Sequence, residues 1–520
     1  MRNMKRLLSM LLCLCLTVSL LAACGGGGDN GGGGSGGQKD TLIIARPYDS
    51  DTLDPVTNSL NQDIWVLENI AEGLVCYSDD GTEVEPLLAT DWTYDEASMT
   101  WTFNLREGLK FSDGSDVTAE DIEFSFQRCI DHTESIHYTY AAQIESVECP
   151  DDTTVIFHIK AADPAFLTNL CMPNMKIISK AYFDENGGED GVADGVMGTG
   201  PYAIGEWDKG EQLTLVRNEY YWEEGLPKTD TVIFRNVPEA ESRAMMLQAG
   251  EIDVDTEVPI ASMADLDAVD GITAEPVLST RTKYFNINHR HEPFDDVRVR
   301  EAFRCALDLQ EIVDIVMLGN AEVANSYINP VGKYYDADLP YPEQDIDRAK
   351  ELLAEAGYPD GFEFDYLVVS GNSENEQIAT VAKEQLAEAG IIANIFQVEN
   401  SAMLEMFDNN QITVYTGQWT LESNDPAALS DYWWIYDQSD AYISGYQNER
   451  LTEINQLAKT EMDDTIRGQY FTEMQETYYN DVVAIPIFYA MWTNAWRDGV
   501  EDFIQSPYGI YRLKYCTVIE

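Results

Sequence analysis

Between Tyr284 and Asp308 the sequence YFNINHRHEPFDDVRVREAFRCALD changes period, and this change limits what the chain can fold into. Tyr284-Phe285-Asn286-Ile287-Asn288 alternates apolar and polar side chains, the signature of a half-buried strand. Pro293 and the Asp295-Asp296 pair stop that strand and cap the next element. From Val297 the residues Val299, Ala302, Phe303, Ala306 and Leu307 recur at helical spacing, one buried stripe on a polar helix. A strand turning into a capped helix here divides the mature chain into two folded parts, both of them α/β.

The second part continues the alternation. Arg348 to Ala356 reads as a helix with Asp347 as cap and Gly357 as stop. Phe362 to Val369 reads as a strand, Glu374 to Ala389 as a helix stopped by Gly390, and Ile391 to Val398 as a strand. This β-α-β unit predicts a parallel pair with a right-handed crossover, whose strand C-terminal ends face a crevice. Ser370-Gly371-Asn372-Ser373 falls at that mouth, and Ile412 to Tyr415 is a further short strand. In the first part, Thr41 to Ala45 is a β-branched strand leading into Arg46-Pro47-Tyr48-Asp49-Ser50. Loops at strand ends are where α/β proteins place ligand contacts, which makes Tyr48 a candidate. Asp63 to Tyr77 reads as a helix ended by Gly73, Trp101 to Leu105 as a strand, and Thr118 as the cap of the next helix. Asp184 to Gly195 fails the calcium-loop pattern, with Glu189 where Gly is required and Gly195 where a bidentate Glu belongs, and reads as a surface loop.

The chain's 520 residues suggest two to four domains, and 44% hydrophobic content makes it globular. Formal charge is -60, from 92 acidic and 32 basic residues. Such a surface repels phosphate backbones, so nucleic acid is not an expected partner.

Residues 1–24 are an address. Arg2, Lys5 and Arg6 precede an apolar run from Leu7 to Leu20, too short to span a bilayer comfortably. Leu21-Ala22-Ala23-Cys24 resembles the bacterial lipobox, which implies cleavage before Cys24 and its lipidation; the alternative is an ordinary secretory signal with Cys24 incidental. Residues 25–40 form a Gly-rich flexible tether. No later apolar run reaches the ~20 residues of a spanning helix. The remaining cysteines, Cys76, Cys129, Cys149, Cys171, Cys305 and Cys516, are scattered, with no CxxC pair, and no disulfide framework is expected.

Three further stretches carry a family resemblance. Arg106 to Phe126 lies in LREGLKFSDGSDVTAEDIEFSF; Gly198-Thr199-Gly200-Pro201-Tyr202 and Arg217-Asn218-x-x-Tyr221-Trp222 come after it. With the crossover's Pro-Phe-Asp-Asp-Val-Arg, they resemble the family 5 extracellular solute-binding proteins, the oligopeptide-, dipeptide- and nickel-binding components of ABC importers. The resemblance covers Leu42 to the C-terminus, thinning after Tyr436. It implies an α/β, two-lobed, periplasmic-binding-protein-like fold of type II. Lobe I would hold residues 41–283, including an inserted subdomain at about 63–195, lobe II residues 284–491, and residues 492–520 would return to lobe I. It further implies capture of peptides, oligopeptides first, delivery to the permease subunits of an importer, attachment through the lipid to the outer face of the cell membrane, and a monomer without cofactor.

The stretch Gly417-Gln418-Trp419-Thr420-Leu421-Glu422-Ser423-Asn424-Asp425-Pro426 resembles the family's peptide-binding loop. Carried over by position, Glu422 pairs with the peptide ammonium, Trp419 walls a side-chain pocket, and Gly417 and Asp425 frame the loop. Gln418 interrupts the family's Gly-Trp pair, and Glu stands for the more usual Asp. The bland reading of Glu422 is one more solvated acid among 92 acidic residues. The loop at Ser370–Ser373 lacks the Arg with which dipeptide binders hold a carboxylate. Burying an unpartnered carboxylate is costly, so either a longer peptide keeps its end wet or the ligand is not a zwitterionic dipeptide. Arg281 and Lys283 are alternative anion partners, or hinge salt-bridge residues. Tyr489 and Trp492, where the chain recrosses, are candidates for the cleft wall, and such aromatics would also suit an oligosaccharide.

No GxSxG, HExxH or Walker loop is present, and the five histidines do not cluster. His289-x-His291 could hold a metal, but a lone pair on a turn usually holds none. A binding protein is therefore expected rather than an enzyme, with no catalytic or metal residue assigned. A secreted hydrolase using paired carboxylates is the remaining enzyme alternative.

Overall fold

The computed structural model describes residues 38–435 and 443–519. The signal, Cys24, most of the tether and Tyr436 lie outside the described residues.

Two long strands, Ile272–Ile287 and Ala484–Arg497, pair antiparallel and form the spine of an eleven-stranded mixed sheet. On one side of this ribbon stand Val254–Thr256, Thr41–Arg46 and Thr231–Asn236, the last two parallel, and beyond them Gln212–Arg217 and Tyr202–Asp208. On the other stand Val414–Thr420, Phe362–Val369 and Ile391–Val398. The ribbon's two ends lie in separate cores. Ile272, Ala274 and Ala495 pack with Ala45, Leu247, Val258 and Leu266. Phe285, Ile287, Ile485 and Ile487 pack with Val299, Phe303, Tyr366 and Ile378. Between the ends the ribbon turns polar, with Ser279, Thr280, Thr282 and Lys283 buried and its register shifted between Leu278 and Thr282. The ribbon's irregularity thus falls between its two apolar cores. Tyr284 and Tyr489 lie on these adjacent strands, with Thr282 opposite Tyr489 and Tyr284 opposite Pro486.

An antiparallel sheet of four strands, Ala89–Asp95, Thr100–Leu105, Thr154–Ile159 and Ile144–Asp151, makes a separate layer with its own core of Phe103, Phe126, Phe157 and Phe166. The helix Ala119–Asp131 covers it and starts with a capping box, the Thr118 and Asp121 side chains each meeting the other's backbone N–H.

Local patterns predict most elements well. The β-α-β unit forms as a parallel pair, Phe362 opposite Ile391, around the helix Ser373–Glu388, with Gly390 at a φ of 88°. Asp296 caps Val297–Cys305. Three details differ. The cap of Ile346–Ala356 is Asp345, whose carboxylate accepts from the Arg348 N–H at 2.8 Å, while Asp347 sits in the first turn. The helix expected to be ended by Gly73 already ends at Ile70, and Val75–Tyr77 is a strand. Gly198 and Gly200 press against that helix end. A Cβ on Gly198 would stand 2.3 Å from the Ile70 carbonyl oxygen, and one on Gly200 would stand 2.5 Å from the Ile70 carbonyl carbon. The Glu72 carbonyl meanwhile accepts from Ile177 at 2.9 Å. These non-local contacts draw residues 71–73 into extended backbone and explain why Gly-Thr-Gly is needed there. Finally, the strand expected at Ile412 to Tyr415 is Val414–Thr420, because its ladder with the ribbon continues to Arg281 opposite Thr420.

Cys76, Cys129, Cys149, Cys171, Cys305 and Cys516 are free thiols. No helix among the described residues is long and apolar enough to cross a membrane.

Candidate ligand-binding site

A cavity of about 380 Å³ opens where the ribbon, the chain around Tyr140 and Met172 and the C-terminal segment meet. Ligand pockets of this kind occupy ~300–1,000 Å³ and combine apolar walls with a few placed polar groups. Ile64, Ile136, Met172 and Leu421 supply apolar surface, and Thr280, Arg281, Thr420 and Glu422 supply polarity.

Strand parity decides what the 417–426 stretch contributes. Gln418 and Thr420 lie on the strand face that lines the cavity, and Leu421 and Glu422, just past the strand's end, line it too. Trp419 points the other way and stacks on Tyr432, ring centroids 3.9 Å apart, beside the Tyr284–Trp433 cluster. Gly417 packs under Tyr284, where a Cβ would come within 2.5 Å of the ring. Asp425 is buried and receives both terminal nitrogens of Arg467, one at 2.8 Å, and the Ala427 N–H at 3.0 Å. It anchors the loop and does not line the cavity.

Glu422 is the acid that faces the cavity, and the Tyr140 hydroxyl, on the short helix Tyr138–Ala141, donates to its Oε2. Burial, and after it the Glu422 charge, raises the Tyr140 hydroxyl well above its ordinary pKa, so the proton stays on the phenol. Two residues on, the Asn424 amide donates to the Thr82 carbonyl at 2.8 Å. The loop thus reaches from the ribbon side and is tied to the turn between the strands Val75–Tyr77 and Val84–Pro86.

Of the recrossing aromatics, Trp492 lines the cavity, its Nε1 donating to the Pro507 carbonyl at 2.8 Å. Tyr489 is a core residue, its hydroxyl donating to Asn325 Oδ1 at 3.1 Å and accepting from the Ser326 N–H at 3.1 Å. Tyr48 is 64% exposed and lies outside the cavity. The two basic alternatives separate. Lys283 pairs with Glu374 at 2.6 Å and Asn375 at 3.1 Å. Arg281 stands with its guanidinium carbon 4.4 Å from the Trp492 ring centroid.

The cavity also holds His137 and Tyr508, which no sequence pattern marks. His137 lies on Asn58, and burial lowers its pKa, so it is the neutral imidazole at physiological pH. The pair His289 and His291 is occupied structurally, with His289 Nε2 donating to the Val483 carbonyl at 3.0 Å and His291 set between Thr413 and Asn410. Burial drives the His289 pKa down to about 3. No cluster of three or more His, Cys, Asp or Glu among the described residues is placed to hold a metal.

Residues 83–441 match the family model "Bacterial extracellular solute-binding proteins, family 5 Middle". The chain belongs to this family. Among family 5 proteins, it is 28% identical over 481 residues to the probable D,D-dipeptide-binding periplasmic protein of Escherichia coli K12, covering 90% of this chain and 92% of that protein. It is 30% identical over 355 residues to the glutathione-binding protein of the same strain, covering 68% and 69%. The solved structure of HbpA2 from Haemophilus parasuis superposes with a TM-score of 0.84 at 24% identity, covering 92% of this chain and all of the other. Fold class and family thus agree with the resemblance in the sequence.

Proposed function

We propose that this family 5 protein captures peptides in the cavity between two lobes and delivers them to the permease subunits of an ABC importer. The observation that carries the reading is Glu422, facing the cavity at the loop position the family uses for a ligand ammonium. Free peptides carry that group, and relatives named for a dipeptide and for glutathione support the same chemistry. In this reading lobe I holds residues 41–283 and 492–520, with the insertion at about 63–195, and lobe II holds residues 284–491. Ligand shifts the lobes toward the closed form by binding it better than the open one. The bridges from Glu422 to Tyr140 and from Asn424 to Thr82 are contacts that closure makes. The protein works as a monomer, without turnover, held to the outer face of the membrane by lipid on Cys24.

An oligosaccharide is the second reading, favoured by Tyr77 and Tyr508 stacked at 4.7 Å and by Trp492 in the same cavity. Titration calorimetry of wild type and Glu422→Gln separates the two. A lost charge-assisted hydrogen bond contributes about 1.5–3 kcal/mol, so peptide affinity should fall about tenfold to a hundredfold. A neutral sugar should bind both alike, since Gln still offers its amide to hydroxyls. Unchanged peptide affinity would return Glu422 to an ordinary solvated acid.

A further inference from the structure

The ribbon contributes two neighbouring side chains to the cavity whose polar atoms have nothing to bind. Thr280 and Arg281 line the cavity, and Thr280 Oγ1 and Arg281 Nε are buried and meet no hydrogen-bond partner among the described residues. Buried polar groups are nearly always satisfied, so adjacent exceptions in one cavity call for an explanation. Arg281 stands out further because the chain carries 92 acidic residues against 32 basic ones, and yet this guanidinium forms no ion pair within 4.0 Å among the described residues. Its neighbours show what pairing looks like here. Lys283 takes Glu374 at 2.6 Å, and Arg243 takes Asp255 at 2.6 Å. Glu374 and Glu257 are the acids that act on Arg281 from a distance, and Glu374 is already committed to Lys283. The guanidinium carbon lies 4.4 Å from the centroid of the Trp492 ring, and both residues line the cavity.

We propose that Thr280 and Arg281 form the site for the ligand's carboxylate, so that this cavity takes short zwitterionic peptides held at both ends. The proposal rests on the peptide reading and adds its anionic half. The ladder sets the span. Arg281 pairs with Thr420, and the next ladder bond, Leu421 N–H to the Thr280 carbonyl at 2.9 Å, carries the strand on toward Glu422. Directly opposite residues have Cβ atoms about 5 Å apart and diagonal ones about 7–8 Å. Arg281 stands opposite Thr420 at the strand's end, Glu422 follows two residues on, and both line the cavity. An extended peptide advances about 3.3–3.6 Å per residue, so two or three residues bridge such a pair. A carboxylate accepts in parallel from a guanidinium edge and a hydroxyl, and that geometry separates it from an amide, which offers one neutral oxygen. The neutral Ser370–Ser373 loop is then no obstacle to a short ligand, because the carboxylate is held from the ribbon instead.

The test is retention by the full-length protein of an equimolar library of di- to pentapeptides, read by mass spectrometry in three forms: free, C-terminally amidated and N-terminally acetylated. Wild type should retain free di- and tripeptides and lose about tenfold to a hundredfold on amidation. Arg281→Gln should bind free and amidated peptides alike. Thr280→Val, which removes only the hydroxyl, should weaken free peptides severalfold and leave amides unchanged. Thermal melting of each variant checks folding, and Arg281→Lys keeps the charge should Gln not fold. Equal retention of free and amidated peptides by wild type overturns the carboxylate site, as does an equal loss of both in Arg281→Gln. Loss on acetylation without loss on amidation also overturns it, while leaving the Glu422 reading intact. If wild type retains no peptide in any form, both readings fall together.

Discussion

The loop that presents Glu422 is held by a buried ion pair, and breaking that pair should unfold more than the loop. Arg467 and Asp425 have side-chain exposures of 1% and 3%, and each terminal guanidinium nitrogen donates to a different carboxylate oxygen. Arg467 Nε also donates to the Ala458 carbonyl at 2.6 Å, so the pair links the loop to the helix Glu449–Ala458. Arg467→Met keeps most of the apolar stem and removes the charge. Asp425 would then be left with the Ala427 N–H alone, close to the carboxylate of Asp163. Removing one partner of a buried pair costs about 3–5 kcal/mol, mostly the burden of the orphaned charge. Against a total stability of about 5–15 kcal/mol this is large. Urea unfolding monitored by tryptophan fluorescence and circular dichroism should show it at pH 7. Arg467→Met combined with Asp425→Leu should recover most of the loss, because no charge remains to be orphaned. A loss below about 1 kcal/mol in the single variant, or a double variant no better than the single, would refute the reasoning.

Asp163 offers a pH test: burial pushes its carboxyl up to about 6, against 3.8 for the free group. The folded state therefore binds this proton more tightly, so the stability it contributes is full below pH 4 and is lost as pH rises through 6. The stability gap between Asp163→Asn and wild type should move in the variant's favour by about 2 kcal/mol from pH 4 to pH 7, and parallel curves would contradict it. Gly417→Ala should cost about 1–3 kcal/mol in chemical unfolding by driving a methyl into the Tyr284 ring, which Trp433 holds edge-on; no change would mean that the ring moves freely. Cys24→Ser should move the protein from the membrane fraction to the soluble fraction with ligand affinity unchanged, and a variant still membrane-bound would place the anchor elsewhere.

What the sequence makes legible here is local. The strand-helix-strand run from Phe362 to Val398 can be read because its periods, its apolar faces and Gly390 all agree. Where long-range contacts overrule local pattern, the reading slips. The apolar run from Ile64 to Leu74 looks like one helix, and only the packing of residues 198–200 against Ile70 and Ala71 ends it early. Trp419 looks like a pocket wall as long as its stretch is a loop; pairing with the ribbon makes it a strand residue facing the core. Glu422 is accessible from its position in a motif. Tyr140, which bonds it, lies 282 residues away, and no pattern within one chain announces such a partner. Arg281 is visible in the sequence only as one of two cations, and it takes the Lys283–Glu374 pair to separate them.

The central claim, that the cavity of about 380 Å³ is a peptide site, is tested most directly by naming what the protein picks up when offered a choice. The full-length protein, exposed to a digest containing peptides, oligosaccharides and metal chelates, is washed and sprayed intact in a native mass spectrometer, and the released ligand is fragmented. The account predicts a 1:1 complex with peptides carrying a free amino terminus, absent from Glu422→Gln under the same wash. A glycan or chelate as the retained species, or peptides retained equally by both proteins, would contradict it.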